Sequence, residues 1–427
     1  MLSDSLILKI MRIKSLKPVE MARYALKNTL FYKKFYKEWD GRSFDTLPVM
    51  TKYDLVGVSP YDLLSRQFKD QAYIYAETSG SSGAPTPSFL TRNDFKGLLG
   101  VTRLTPYMKE IKKEMGNNRT AVNGLTFGFT IAGTSFGALM QKHGALVAQL
   151  GTRSTIATPQ RTAETIAKLK PFTISATPLD FMSWMEIIRV DLPSKHDDVI
   201  RNLKFLLSTA EPCAFSRKQQ IERYFNITHV NTYASVDGLV SIPCPCGEMH
   251  LLKEMHYIEL FDGQMNRIGE YGTGRLCFTG LIRKSTPMVR YMLDDVVTVK
   301  ASNCEHGFKK SIMPHGRYEL SMELNGKTWG NLDFEDIIYR YGLFMNYTIE
   351  VCSDVINIRL EEYPIAKNDY DITGLTREIT SLTSLKCIAE LLPLGSITDI
   401  RKVREAKSVI KVLDLRDCSR QLMPQIL

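Results

Sequence analysis

Between Tyr73 and Thr232, short runs rich in β-forming residues alternate with longer stretches of helical spacing, and this alternation leaves few architectures open. Strand-like runs fall near Tyr73–Tyr75, Ala121–Leu125, Ser154–Ala157, Thr173–Ser175, Lys204–Leu207 and His229–Thr232. Helix-like stretches occupy Ser135–Leu150, Thr162–Leu169, Leu179–Val190 and Ser216–Phe225. Two parallel strands need a crossover between them, and a helix usually supplies it, so the rhythm predicts an α/β fold built on a largely parallel sheet.

The flanks read differently. From Pro18 to Trp39, Met21, Tyr24, Ala25, Leu30, Phe31 and Phe35 recur at helical spacing among basic residues, until Leu47-Pro48 breaks the pattern. Beyond Leu251 come consecutive strands at Tyr257–Phe261, Gly274–Thr279 and Val296–Lys300 with no long helix between them, which predicts a β-rich subdomain. After Gly316-Arg317, a strand-like Tyr347–Glu361, a helix Ile372–Leu382 and strands Cys387–Leu392 and Ser408–Leu415 predict a small α+β unit. The expected boundary divides the chain into 1–316 and 317–427.

Composition narrows the function classes. Lys and Arg number 55 against 46 Asp and Glu, a net charge of +9 that favours anionic partners. The surplus is spread out and lacks a basic block with interleaved aromatics, which argues against nucleic acid. Met1 to Lys17 has no uninterrupted apolar core and Thr120–Gln141 carries Asn123 and four glycines, so no leader, no membrane span and a cytoplasmic location are expected. Eight cysteines in such a chain suit thiols or a metal site better than a disulfide framework.

The segment richest in chemistry is Tyr73-Ile-Tyr-Ala-Glu-Thr-Ser-Gly-Ser-Ser-Gly-Ala-Pro-Thr86. Gly80 and Gly83 permit tight turns, while Thr78, Ser79, Ser81 and Ser82 supply hydroxyl donors, so a loop here can wrap a polyphosphate; taken alone, a flexible Gly/Ser surface loop is the commoner meaning of such a segment. It is not a Walker A loop, because Ala84-Pro85 follows Gly83 where Lys-Ser/Thr is required. The order of further segments adds to this. Leu47-Pro-Val-Met-Thr-Lys-Tyr-Asp-Leu55 lies upstream; Phe127-Gly-Phe129 to Gly151, Ser175-Ala-Thr-Pro178, Ser208-Thr-Ala-Glu-Pro212, Asn231-Thr-Tyr-Ala-Ser-Val-Asp237, Gly274-Arg-Leu-Cys-Phe-Thr279, Pro287 to Asp295, His315-Gly-Arg317 and Arg404-Glu-Ala-Lys-Ser408 follow. In content and order these resemble the motifs of the adenylate-forming enzymes, most of all the phenylacetate–CoA ligase-like branch. Each motif is short, and their collinearity from about Thr51 to Arg416 carries the resemblance.

The resemblance implies a large N-terminal adenylation domain with the ATP and acid pockets and a small mobile C-terminal domain. It also implies a reaction in which a carboxylate attacks the α-phosphate of ATP, Mg²⁺ assists, and the resulting acyl-adenylate passes its acyl group to a thiol. Such catalysis is mainly positioning and electrostatic stabilisation. By position, Lys407 is the catalytic cation and Asp237 the Mg²⁺ carboxylate. Thr78, Ser79, Gly80, Ser81, Ser82, Gly83 and Thr86 hold phosphates, Tyr233 and Glu211-Pro212 frame adenine, Asp295 accepts the ribose hydroxyls, and Arg317 meets the nucleotide at the domain junction. Phe127, Phe129, Gly133, Thr134 and, on the following helix, His143 are the acid-pocket candidates, with packing between helix and sheet as the alternative for both phenylalanines. They suit an aryl acid, and a stand-alone dihydroxybenzoate-activating enzyme of siderophore biosynthesis is one instance. The acceptor is the phosphopantetheine arm of a carrier protein or CoA.

Three departures stand out: Ala84 where the loop's lysine is expected, Met292-Leu293-Asp294 before Asp295, and Tyr318-Glu319-Leu320 after Arg317. They motivate a rival of another class, a binding protein that keeps the fold without turnover. Finally, Cys244, Cys246, His250, Cys304 and the neighbouring His306 can form a structural Zn²⁺ site or a set of buried thiols; Cys213, Cys277, Cys352, Cys387 and Cys418 have no acid–base context and read as packing residues.

Overall fold

A computed structural model describes residues 15–78, 85–235, 238–403 and 411–416. They form two compact units that do not follow the chain linearly. One gathers 1–113, 127–143 and 232–314; the other gathers 114–126, 144–231 and 315–427.

In the first unit, the helices Pro18–Asn28 and Leu30–Phe35 meet at Thr29, whose side chain caps the second by accepting the Tyr32 N–H. Their apolar stripe buries Met21, Ala25, Phe31 and Tyr32 against Phe278, Met288 and Tyr291. A seven-stranded sheet follows the order Ser241–Pro243, Met249–Leu251, Lys310–Arg317, Tyr291–Ala301, Gly272–Gly280, His256–Phe261, Arg267–Gly269. This is the β-rich subdomain the run of consecutive strands predicts. A separate hairpin pairs Ala72–Glu77 with Pro87–Thr91.

The second unit contains the parallel sheet, in the order Leu146–Gln149, Thr120–Asn123, Thr173–Ala176, Phe205–Ser208, Thr228–Asn231, every pairing parallel. The strands Thr173–Ala176 and Phe205–Ser208 are buried throughout, as expected of strands covered on both faces. The helix Pro178–Asp191 is buried almost all round, and its Phe181 stacks edge-on with Phe225. Residues after 315 add a four-stranded sheet ordered Lys386–Leu392, Val355–Glu361, Asn346–Val351, Val412–Asp414. One apolar core runs through the whole unit, from Val122 and Trp184 to Trp329, Phe334 and Tyr363, whose hydroxyl donates to the Met182 carbonyl at 3.1 Å.

The expected elements need four corrections. Helical spacing over Ser135–Leu150 breaks in two, because the helix Ala132–Lys142 stops at His143 and Gly144 turns with φ +96°; Leu146–Gln149 is instead the edge strand. With that edge filled, Ser154–Ala157 is a run of bends. Tyr347–Glu361 is a hairpin, turning where the Cys352 N–H donates to the Val355 carbonyl. Helices that escaped the periodicity reading include Arg92–Val101, Tyr107–Met115, Pro193–Asn202 and Asn331–Arg340, the last started by Asp333 accepting the Gly330 N–H at 2.8 Å. Among the described residues no helix is long and apolar enough to cross a membrane.

Candidate active site

Two threonines close the base of the hydroxyl-rich loop. The Thr78 N–H donates to the Thr86 carbonyl at 3.1 Å, and the Thr86 N–H returns to Thr78 Oγ1 at 2.8 Å. Thr86 is buried, and its hydroxyl shares a 2.7 Å hydrogen bond with that of Tyr291. Ser79, Gly80, Ser81, Ser82 and Gly83 lie outside the described residues, as do Asp237 and Lys407. Immediately before the loop, the Glu77 N–H donates to the carbonyl of Phe129, a residue with φ +48°.

Tyr291 begins the strand Tyr291–Ala301, and the Asp294-Asp295 pair lies further along it. Pairing with Gly272–Gly280 shifts register between Met292 and Val296, and within that irregular stretch the two aspartates take different partners. Asp294 is buried and ion-paired to Lys52 at 2.6 Å, with Arg275 3.6 Å away. Asp295 is half-buried and accepts the hydroxyl of Tyr233 at 2.6 Å. Two residues marked for adenine and ribose thus touch. The Leu293-Asp294 departure has a physical reason: Asp294 neutralises Lys52, a residue of the upstream Thr-Lys motif that sequence alone left without a partner.

Glu211 has a different setting. Its carboxylate accepts the Leu179 N–H at 3.1 Å, in the first turn of Pro178–Asp191, and pairs with Arg217 at 2.6 Å. Arg217 is fully buried, lies 3.8 Å from Glu335 and sits over the Tyr339 ring. Burial opposes its charge, but Tyr339, Glu211 and Glu335 outweigh burial and raise its pKa well above the usual value. Glu335 also accepts the Ala214 N–H, the Tyr347 hydroxyl and the Lys411 ammonium. The Glu211 side chain is therefore committed to the interior, and adjoining surface comes from Pro212, which is exposed. Arg317 is exposed at the end of Lys310–Arg317. Gly316, at φ +131°, packs so closely against Asn331 that a Cβ would lie 2.1 Å from its Oδ1.

The acid-pocket candidates separate. Phe127 and Phe129 are 41% and 75% exposed, so packing between helix and sheet does not describe them. Gly133 and Thr134 open the helix Ala132–Lys142, whereas His143 caps its other end, roughly 14 Å away at 1.5 Å per residue. The structure does not bring His143 to the others. What sequence reasoning missed is a cavity of about 40 Å³ lined by Ala76, Ser88, Leu90, Leu98, Ile131 and Gly238 with Arg283. No sequence motif marks it, since its walls come from six segments.

The cysteine cluster assembles. One ligand atom each from Cys244, Cys246, His250 and Cys304 falls within 4.8 Å of the others. Cys304 Sγ lies 3.6 Å from that of Cys244 and 3.5 Å from that of Cys246, and Cys246 Sγ is 3.3 Å from His250 Nε2. Thiolates bound to zinc at about 2.3 Å in a tetrahedron stand roughly 3.8 Å apart, so these spacings fit such an ion. His250 is held by its other ring nitrogen, 3.4 Å from the Lys310 carbonyl, and stacks on Phe308. His306 approaches Cys244 at 3.3 Å as a fifth donor. Cys213, Cys277 and Cys387 are buried thiols whose pKa burial pushes up, as packing residues should be; Cys418 lies outside the described residues.

No protein-family model and no curated protein matches the chain. Solved structures do. A 2-hydroxyisobutyryl-CoA ligase in its postadenylation state with 2-HIB-AMP superposes with a TM-score of 0.73 at 18% identity over 98% of this chain and 90% of that one. The acyl acid amido synthetase AtGH3.15 in complex with 2,4-DB gives 0.61 at 11% identity, covering 98% and 95%. The anthranilate CoA ligase AuaEII with anthranoyl-AMP gives 0.52 at 13% identity, covering 77% and 64%. At these identities the likeness is one of fold: the chain has the α/β architecture of adenylate-forming enzymes.

Proposed function

We propose that the chain is an ATP- and Mg²⁺-dependent carboxylic-acid ligase that makes an acyl-adenylate and passes the acyl group to a phosphopantetheine thiol. The observation that carries this reading is the single strand Tyr291–Ala301, which ties the base of the hydroxyl-rich loop at one point and holds Asp295 against Tyr233 four residues on. Four residues of strand span at most about 13 Å, less across the register shift between Met292 and Val296, which leaves room for a nucleotide with its ribose at Asp295 and its phosphates at the loop. Asp295 offers carboxylate oxygens to a vicinal diol, and Tyr233 offers a ring to adenine. Lys407 and Asp237 are proposed to supply the ammonium and the Mg²⁺ carboxylate, and Arg317 a contact to the nucleotide.

The named structural relatives act on or hold organic acids, two with acyl-adenylates bound, which supports the reaction class. Phe127 and Phe129, exposed beside the loop base, support an aryl or hydroxylated acid. The net charge of +9 suits either thiol carrier, a carrier protein or CoA, since both are anionic. A zinc ion held by Cys244, Cys246, His250 and Cys304 has a structural part here, all four being protein ligands with no position left for substrate.

The test is acid-dependent exchange of labelled pyrophosphate into ATP across aryl and aliphatic acids, followed by mass spectrometry of CoA and carrier proteins. Exchange with some acid is expected, lost in Lys407→Ala. Absence of exchange with every acid would leave the fold as that of a binding protein. Metal analysis of purified protein should find about one zinc per chain, falling in Cys246→Ser.

A further inference from the structure

We propose that the cavity under the first hairpin receives the far end of the substrate acid, and that Ser88 selects an acid carrying a hydroxyl group there; this rests on the ligase reading and names its substrate class. Ser88 is 3% exposed, and its hydroxyl has no hydrogen-bond partner among the described residues. A buried hydroxyl left unpaired is destabilising, so a site that keeps one in a cavity wall gains from a ligand that completes it. Ser88 stands opposite Ala76 in the hairpin register, and both line the cavity.

The remaining walls are apolar or small: Leu90, Leu98, Ile131, Met255 and Ile282, with Gly97 and Gly238. Gly238 keeps the wall open, because a Cβ there would come within 3.2 Å of Leu98. Two charged residues reach the cavity. Asp94 is already engaged, its Oδ2 accepting the N–H and hydroxyl of Thr91 at 2.8 and 2.7 Å. Arg283 is buried and lines the cavity as well. A volume of about 40 Å³ accommodates roughly three water-sized groups, enough for a hydroxylated tip but not a whole aromatic acid. Ser88 is the second residue of Pro87–Thr91 and two residues beyond Thr86, at most about 7 Å along the chain from the loop base where the carboxylate would be activated. The acid thus lies with its carboxylate towards the loop and its substituted end in the cavity.

The experiment measures pyrophosphate exchange with pairs of acids of one skeleton that differ by a single hydroxyl, for the wild type and Ser88→Ala. The hydroxylated member should be preferred in kcat/KM by roughly 10- to 100-fold, the range of one satisfied buried hydrogen bond. Ser88→Ala should bring the pair within about threefold, chiefly through loss of the hydroxylated member's advantage. Equal use of both members by the wild type, an undiminished preference in the variant, or preference for a dicarboxylate would overturn the assignment and leave the ligase reading standing. If no acid supports exchange, the ligase reading fails instead, and calorimetric titration of the same pairs decides for the cavity: hydroxyl-dependent binding lost in Ser88→Ala upholds it, and binding of neither member overturns it.

Discussion

Glu211 and Asp295 come from two motifs expected to frame one nucleotide, and the fold uses their carboxylates in opposite ways. Glu211 is sealed among Arg217, the amide of Leu179 and the reach of Glu335, with every strong partner supplied by the protein. Asp295 is half-buried and accepts the Tyr233 hydroxyl. Burying a charge is tolerated only with paired, hydrogen-bonded company, so the first arrangement serves the interior. A half-buried carboxylate keeps an edge that a ligand can approach. Two carboxylates from the same set of motifs thus have opposite surroundings, one sealed and one half-buried.

The sharpest way to break this contrast is to remove Arg217. Arg217→Ala strands Glu211 and Glu335 in the core, and breaking a buried pair by deleting one partner costs about 3–5 kcal/mol. Urea denaturation should show that loss; a change below about 1 kcal/mol would mean that the cluster is hydrated and Glu211 is as available as Asp295. Neutralising the partners as well, with Arg217→Met, Glu211→Gln and Glu335→Gln together, should recover much of the loss, because no orphaned charge remains.

Asp295→Asn makes the opposite demand. Folding stability should move by less than about 1 kcal/mol, as expected where a hydrogen bond to Tyr233 can persist, while kcat/KM for ATP in the exchange reaction falls roughly 10- to 100-fold through weakened ribose hydrogen bonds. If stability falls and kinetics do not, Asp295 belongs with Glu211 as scaffold.

How far this division could be read beforehand varies by residue. Arg217, six residues from Glu211, lies on an expected helix, whereas Asp294 and Asp295 fall just before the expected strand Val296–Lys300 and carry no alternation signal. The parallel sheet, the β-rich subdomain and the order of motifs were all visible in local pattern. Lys52 against Asp294 and Glu335 against Arg217 were not, since each pair is separated by more than a hundred residues and neither carries a periodic signal. The cavity at Ser88 was hidden for the same reason. The helix Asn331–Arg340 escaped because it buries Phe334, Ile337 and Ile338 in a core shared with distant segments, and its capping residues gave no strong start signal.

A third test probes the interior of the parallel sheet. His229 is fully buried, with Nε2 2.6 Å from Ser208 Oγ, which in turn donates to Asn231 at 3.0 Å. Burial, then Lys218 and Arg217, lower its pKa well below the usual histidine value. The native state therefore binds fewer protons than the unfolded one once pH drops below about 6.5, and stability should decline there by up to roughly 1.4 kcal/mol per pH unit from this residue. Denaturation curves between pH 7 and 5 should show the slope, and His229→Gln should flatten it; an equal slope in the variant would assign the acid sensitivity elsewhere.

The smallest effect belongs to an exposed pair. Arg401 makes two contacts to Asp191, at 2.6 and 2.7 Å, and a third to Gln160 at 3.0 Å. The hydrogen bond from Arg401 lowers the Asp191 pKa. Lying in water, the pair is screened, so Arg401→Ala should cost no more than about 0.5–1 kcal/mol at neutral pH, less at high salt. The sign with pH is set by a depressed carboxylate: the contribution is complete above the ordinary aspartate range and disappears as pH falls through the lowered value. Wild type and variant should therefore differ at pH 7 and converge in acid. A gap that persists in acid, or one several times larger at neutral pH, would show that Arg401 acts by packing its stem rather than by its charge, and would move this pair from the solvated class to the one that contains Arg217.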